Sequence, residues 1–122
     1  MKETPLRTVT SALAALSAIG VLALAAPASA HVTVATVYDN RNIKAGSASV
    51  NSAHTVFYAC DMLADNVGVY GRMRLSNGQI KDIADSNGSA DGCGIGYAPS
   101  GTTIVAIEAV WRGGKTSGWK TT

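Results

Sequence analysis

Two cysteines, Cys60 and Cys93, limit the possible folds of this chain more than any other feature. They are the only cysteines, and they stand 33 residues apart. A disulfide between them would stabilise the fold by roughly 3–4 kcal/mol, because it restricts the unfolded chain. That is a large part of the roughly 5–15 kcal/mol typical of a whole domain. We therefore predict one structural disulfide; free thiols serving as metal ligands or as a redox pair would need Cys-x-x-Cys spacing or neighbouring histidines.

The first thirty residues predict export, and exported proteins are those in which cysteines pair. Lys2 and Arg7 give a basic start, residues 12–26 are uncharged and mostly apolar, and Ala28-Ser29-Ala30 follows Pro27. This order is typical of a secretory signal peptide, and the apolar run is short for a membrane span of about 20 residues. We expect removal of residues 1–30 and a secreted, extracellular chain that begins at His31; an uncleaved anchor is the alternative.

Size and charge of the mature chain exclude several classes of partner. Residues 31–122 number 92 (122 minus 30), which predicts a single domain. Without Lys2, Arg7 and Glu3 the chain keeps eight basic residues (10 minus 2) and seven acidic residues (8 minus 1), a net charge of +1. These charges are interspersed, so we expect no nucleic-acid partner. No second long apolar run follows, so we expect no membrane attachment after cleavage. We also expect the mature chain to be a monomer.

Apolar residues after residue 30 recur mainly at alternate positions, which is typical of β-strands. The pattern predicts strands at 31–38, 47–50, 54–61, 67–75, 79–84, 93–97 and 102–112, with 117–121 pairing back. Turn-forming residues fill the intervals, including a loop at 39–46 and an Asn77-Gly78 hairpin turn. We predict an all-β fold, a small antiparallel β-sandwich of about seven strands, with a small closed β-barrel as the alternative.

Three strands give more specific predictions about which side chains are buried. Alternate residues of 67–75 divide into an apolar face, ending in Met73 and Leu75, and a solvent face that holds Tyr70, Arg72 and Arg74. In 102–112, Val105, Ile107, Ala109 and Trp111 share one face. Strand 54–61 is apolar on both faces, which predicts a central strand with Cys60 in or beside the core.

The middle and end of the chain resemble a group of small secreted actinobacterial, Streptomyces-like, single-disulfide proteins of unassigned function. The matching residues are Ala59-Cys60-Asp61, Asp65, Val69-Tyr70, Asp85, Asn87-Gly88-Ser89, Cys93 and Trp119, within residues 56–119. The resemblance implies export, one disulfide and an all-β fold, and it implies no activity.

The two histidines, His31 and His54, are the candidate metal ligands. Cleavage after Ala30 would give His31 a free α-amino group beside its imidazole, and the two nitrogens can chelate Cu(II). An imidazole from His54 would complete a T-shaped site similar to the histidine brace of some secreted copper proteins. Otherwise His31 is a frayed terminal residue and His54 a surface residue.

The segment 85–92 is the candidate calcium site, because Asp85, Asn87, Ser89 and Asp91 carry oxygen side chains at alternate positions, and Asp85, Asn87 and Asp91 are the candidate ligands. An EF-hand loop that places its glycine at Gly92 would need its twelfth ligand at Ala98, which cannot ligate. An irregular calcium site that adds Asp61 or Asp65 stays open, and a solvated turn is the simpler interpretation. No cofactor is expected apart from the copper and calcium alternatives.

Catalytic motifs are missing from the sequence, so we expect no enzyme. A possible ligand face is formed by Tyr70, Arg72 and Arg74 on one strand, with Trp119 as a stacking residue. The predicted function is a non-enzymatic extracellular binding or surface module for an unknown extracellular protein or glycan. The alternatives are a Cu(II)-binding protein and a secreted hydrolase inhibitor that presents residues 87–91 or 98–101.

Overall fold

The computed structural model describes residues 31–122, which form two antiparallel β-sheets. In chain order the strands are β1 (Thr33–Tyr38), β2 (Lys44–Val50), β3 (Val56–Asp61), β4 (Val69–Leu75), β5 (Ile80–Ala84), β6 (Gly94–Tyr97), β7 (Ile104–Trp111), β8 (Lys115–Thr116) and β9 (Lys120–Thr121). Sheet A has the order β1-β2-β3-β6, and sheet B has the order β5-β4-β7-β8 with β9 also paired to β7. The predicted signal peptide, residues 1–30, lies outside the described residues.

The prediction of an all-β sandwich is confirmed, and the sheets do not close into a barrel. Nine strands replace the expected seven or so, partly because the end of the chain pairs with β7 twice. Val110 and Trp111 pair with β8, and Ala106 and Ile107 pair with β9. Residues 117–119 between these two short ladders are not part of a strand, so β8 and β9 are separate strands.

The core lies between the sheets and follows from the alternation of the strands. Sheet A contributes Ala35, Val37, Ala48, Val50, Phe57 and Ala59, and sheet B contributes Val69, Met73, Leu75, Ile104, Ile107, Ala109 and Trp111. The face predicted for β4 is confirmed, since its apolar residues are buried and its tyrosine and arginines are half-exposed.

Gly71 on β4 faces Phe57 on β3 across the core. The Phe57 ring is fully buried, and a Cβ on Gly71 would overlap its Cζ and Cε1 atoms. The glycine therefore provides the space that the ring occupies.

A bulge in β7 corrects the predicted face of that strand. Met73 pairs with Ile107, but Leu75 pairs with Ile104, so β7 has one extra residue in this interval. The extra residue reverses the alternation. Ile104 is fully buried, whereas Val105, which we predicted on the same face as Ile107, is exposed.

Asp39 makes the loop after β1 shorter than the predicted 39–46. Its Oδ1 accepts hydrogen bonds from the N–H groups of Arg41 and Ile43, and its own N–H donates to the carbonyl of Ile43. The hydrogen bond from Ile43, with help from Arg41 and against the effect of burial, holds the pKa of Asp39 below its usual value. Because the turn closes on this one side chain, β2 already begins at Lys44.

The predicted disulfide joins Cys60 to Cys93, with 4.5 Å between their Cα atoms. Its predicted position in or beside the core is wrong. Phe57 and Ala59 are the β3 side chains that face the core, so Tyr58 and Cys60 face outward by alternation. The disulfide thus lies on the outer face of sheet A, where it ties the start of β6 to β3.

Candidate binding surface

The outer face of sheet A is largely apolar, and its centre carries no formal charge. We call this surface the tyrosine face; its residues are Val34, Thr36, Tyr38, Ser47, Ser49, Val56, Tyr58, Ile95 and Tyr97. An antiparallel sheet with one solvated face normally turns polar side chains outward. Here three of the four tyrosines of the chain face solvent instead, and Ser and Thr hydroxyls supply the polarity.

The three tyrosines of this face are well exposed. Relative exposure is 45% for Tyr38, 37% for Tyr58 and 66% for Tyr97. Val34 and Ile95 are exposed beside them. Contiguous exposed apolar surface on a small domain commonly marks a binding site.

Strand register places the three tyrosines on one diagonal across the sheet. Tyr58 pairs with Ile95 on β6, and Tyr97 lies two residues further along that strand, opposite Val56. In the other direction Tyr58 pairs with Ser49, which pairs with Val34 on β1, four residues before Tyr38. With strands about 4.8 Å apart and residues about 3.4 Å apart along each strand, the Cα atoms of Tyr97 and Tyr38 lie about 8 Å and about 17 Å from that of Tyr58, in line.

The charged groups nearest to this surface lie at its edge. Lys44 pairs with Tyr38 at the start of β2. Lys120 reaches β1 from the other sheet, and its Nζ donates to the carbonyl of Val34 at 2.9 Å. Both lie on the border of the tyrosine face, so its centre around Tyr58 is uncharged.

The ligand face predicted from the sequence lies on the opposite side of the molecule, on the outer face of sheet B. The structure brings its members together in cation–π stacks: Arg72 lies 5.8 Å from the Tyr70 ring centre, Arg112 lies 4.8 Å from the same centre, and Arg74 lies 4.4 Å from the Trp119 ring centre. Arg72 also donates to Asp82 at 2.9 Å, and this hydrogen bond raises the pKa of Arg72. The arginines are thus already paired with side chains of this chain, and their role in ligand binding stays a prediction.

The predicted calcium segment borders a polar cleft of about 460 Å³. Asp85, one of the predicted ligands, is buried, and its carboxylate accepts hydrogen bonds from the N–H groups of Asp61 and Asn87. The Asn87 side chain approaches the Asp91 carbonyl at 3.5 Å, and the Asp91 side chain is exposed. Asp85 therefore has a structural role in joining the segment to the end of β3, and the calcium hypothesis stays a prediction.

Asp61 lines this cleft and Asp65 lies in the neighbouring loop, and their carboxyl pKa values shift in opposite directions. Burial, together with the nearby carboxylates of Asp65 and Asp85, raises the pKa of Asp61, although the Leu63 N–H donates to it. Burial would also raise the pKa of Asp65, but a 2.9 Å hydrogen bond from Trp111 Nε1 and others from backbone N–H groups lower it on balance. Asp65 is thus held charged, whereas charge on Asp61 is disfavoured.

We expect Asp61→Asn to stabilise the protein at neutral pH, because the amide oxygen can still accept from Leu63 and carries no buried charge. The penalty of charging Asp61 is absent below the ordinary carboxyl pKa of 3.8, appears as the pH rises through it, and is complete above the raised folded value. The variant should therefore melt at a higher temperature than wild type at pH 7, and the difference should shrink at pH 3. Asp91→Asn, in an exposed turn, is the control; a lower melting temperature of Asp61→Asn at pH 7 would contradict this account.

The two histidines lie beside each other, with ring centres 5.9 Å apart and ring planes at 73°. Among residues 31–122, no group of three or more His, Cys, Asp or Glu side chains could hold a metal ion. The Cu(II) site predicted from the sequence uses the α-amino nitrogen of His31 as its third protein ligand.

The two loops proposed for an inhibitor are exposed turns. Asn87 lies in the first, next to the cleft, and in the second the Thr102 N–H and hydroxyl both hydrogen-bond to the Pro99 carbonyl. The inhibitor hypothesis stays a prediction.

Comparison of the chain with protein-family models, with curated proteins and with solved structures finds no match. The resemblance to small secreted actinobacterial proteins therefore stays a prediction from the sequence. In the described part of the chain, no helix is long and apolar enough to cross a membrane.

Sequence reasoning did not identify Tyr38, Tyr58 and Tyr97 as a group. The signal available was the alternation of residues 32–38 and 56–60, which gives each tyrosine a face but leaves open which face is outside. Register between distant strands then decides whether the tyrosines meet.

Proposed function

We propose that this protein is a secreted, non-enzymatic extracellular module that binds a neutral polysaccharide on its tyrosine face. The observation that carries the proposal is the line of three exposed tyrosines across an uncharged sheet surface. The export signal and the disulfide support an extracellular location.

Tyrosine suits carbohydrate because its ring is a flat apolar surface with a polar tip. One face of a pyranose ring presents C–H groups that pack against such a surface, and the sugar hydroxyls point to the sides. Thr36 and Ser49, which are partly exposed, lie among the tyrosine positions and offer hydroxyl partners for the sugar hydroxyls. A linear arrangement favours an extended chain over a single sugar.

The uncharged centre of the face favours a neutral ligand over an anionic one. An acidic glycan or nucleic acid would be expected to meet Lys or Arg side chains, which attract and position anionic groups. On this molecule the arginines of β4 lie on the other sheet, where Asp82 and two aromatic rings engage them. The tyrosine face therefore fits a neutral polysaccharide better than it fits a charged one.

The test is retention of the mature protein on insoluble cellulose, chitin and xylan, with a polyanionic glycan for comparison. We expect retention on at least one neutral polymer, and we expect Tyr58→Ala and Tyr97→Ala each to weaken binding by about tenfold, equivalent to about 1.4 kcal/mol. Tyr70→Ala is the matched control, because Tyr70 is the one tyrosine on the opposite sheet. It should bind as wild type does, provided circular dichroism shows an intact fold.

Two outcomes would overturn the proposal. Failure to bind any neutral polymer is one. The other is a dimer in sedimentation that Tyr58→Ala dissociates, since a second copy of the chain would then cover this face.

A further inference from the structure

His31 and His54 come together although 23 residues separate them (54 minus 31). The pairing of β1 with β2 explains this, because Thr33 pairs with Val50, the last residue of β2. Two residues before Thr33, the chain therefore lies beside the turn that connects β2 to β3. His54 stands in that turn, and the two imidazole rings meet at 5.9 Å.

The turn holds His54 in a defined position. Asn51 Oδ1 accepts hydrogen bonds from the N–H groups of Thr55 and Val56, at 2.8 and 3.0 Å. The His54 N–H donates to the Asn51 carbonyl, and the His54 carbonyl accepts from the Ile104 N–H of sheet B. These hydrogen bonds fix the backbone that carries the His54 imidazole. His31 lies at the start of the described chain.

His54 also has an unusual backbone conformation. Its φ of 56° lies in the left-handed region, which few side chains other than Asn, Asp and His adopt. A non-glycine residue in this region is a reason to look for a role of the side chain. The His31 imidazole lies close to the His54 imidazole, so both can serve as ligands at one site.

We propose that the mature protein binds one Cu(II) ion through the α-amino nitrogen and imidazole of His31 and the imidazole of His54. A metal–nitrogen distance of about 2.0 Å on each side places two opposed imidazole ring centres about 6 Å apart. The observed separation of the ring centres, 5.9 Å, is close to this value. The amine and the imidazole of His31 would close a six-membered chelate ring on the metal, and the His54 imidazole would add the third nitrogen ligand.

Copper is the metal that this donor set selects. Cu(II) favours tetragonal nitrogen ligation and stands highest in the affinity order of the divalent first-row metals. In residues 31–122 no cluster of three His, Cys, Asp or Glu offers a competing site. The proposal depends on cleavage after Ala30, because only cleavage creates the third nitrogen ligand.

The experiment begins with mass spectrometry of the secreted protein, in which we expect His31 as the first residue. Titration with Cu(II) alone should then show one tight site, and electron paramagnetic resonance should show a tetragonal signal with nitrogen coupling. His54→Asn is the main variant, because asparagine also tolerates the left-handed backbone and should preserve the turn. We expect it to weaken Cu(II) binding by tenfold or more. A variant with one extra alanine before His31 keeps both imidazoles but displaces the amine, and it should weaken binding as well.

Equal affinity of His54→Asn and wild type would overturn the proposal, because it would leave only chelation by the terminal residue. A secreted chain that begins several residues away from His31 would overturn it too. Tyr58→Ala should bind Cu(II) as wild type does, so failure of the polysaccharide proposal and failure of the copper proposal give different results.

Discussion

Replacement of both cysteines in Cys60→Ser/Cys93→Ser should lower the free energy of unfolding by about 2–5 kcal/mol. The disulfide closes a separation of 33 residues that contains β4, β5 and the turn segment before β6. Without it the unfolded chain gains freedom, while β6 must keep its place by pairing alone.

Strand β6 is the element that depends most on the disulfide. It has four residues, two of them glycines, and it pairs with β3 alone, at the edge of sheet A. Glycine loses the most backbone entropy when it is ordered. We therefore expect the amides of β6 to lose their protection from hydrogen exchange before those of β3. Tyr97 lies on this strand, so weaker polysaccharide binding should accompany the loss.

Urea denaturation of the serine variant, monitored by tryptophan fluorescence, measures the effect. Wild-type protein treated with a reductant is the control, because it breaks the same bond without introducing serine, and it should lose a similar amount. A loss below about 1 kcal/mol in both samples would show that the fold does not depend on this covalent link.

The second large effect is expected at the contact between the sheets. Phe57→Ala should lower the free energy of unfolding by about 3–5 kcal/mol, because it removes a fully buried ring and leaves a cavity. Gly71→Ala should cost about 1–3 kcal/mol for the opposite reason, since its methyl group would overlap the same ring. Tyr58→Ala, one residue along β3 and on the solvent side, should cost much less than Phe57→Ala.

The double variant Phe57→Ala/Gly71→Ala separates this account from a general loss of strand stability. With the ring gone, the new methyl group has space and fills part of the cavity. The double variant should therefore be more stable than the sum of the single effects predicts, by about 0.5–3 kcal/mol. Additive losses in chemical denaturation would contradict a direct contact between these two residues.

Several parts of the fold could be predicted from the sequence because they depend on neighbouring residues. The alternation in 67–75 fixes which side of β4 is buried, whatever packs against it. Two cysteines in a chain with a predicted export signal were enough to predict the disulfide. The turn formers separated the strands, although Asp39 closed its turn earlier than the composition of 39–46 indicated.

The buried face of β3 could not be predicted from its sequence alone. Both of its faces carry apolar side chains, so alternation divides Phe57 and Ala59 from Tyr58 and Cys60 without saying which pair is inside. The choice depends on the space beside Gly71 on the opposite sheet, which accommodates the Phe57 ring. The predicted burial of Cys60 was wrong for this reason, and the same choice exposes Tyr58.

The sequence by itself thus determined the approximate positions of most strands, the antiparallel all-β class and the pairing of the two cysteines, because each follows from local patterning or from the presence of only one possible partner. The tertiary structure alone decided the inner face of β3, the bulge that buries Ile104 and exposes Val105, the line of three tyrosines and the meeting of His31 with His54. Each of these depends on register between strands or on packing between sheets. Both are set by contacts among residues far apart in the chain, which alternation within a single strand does not encode.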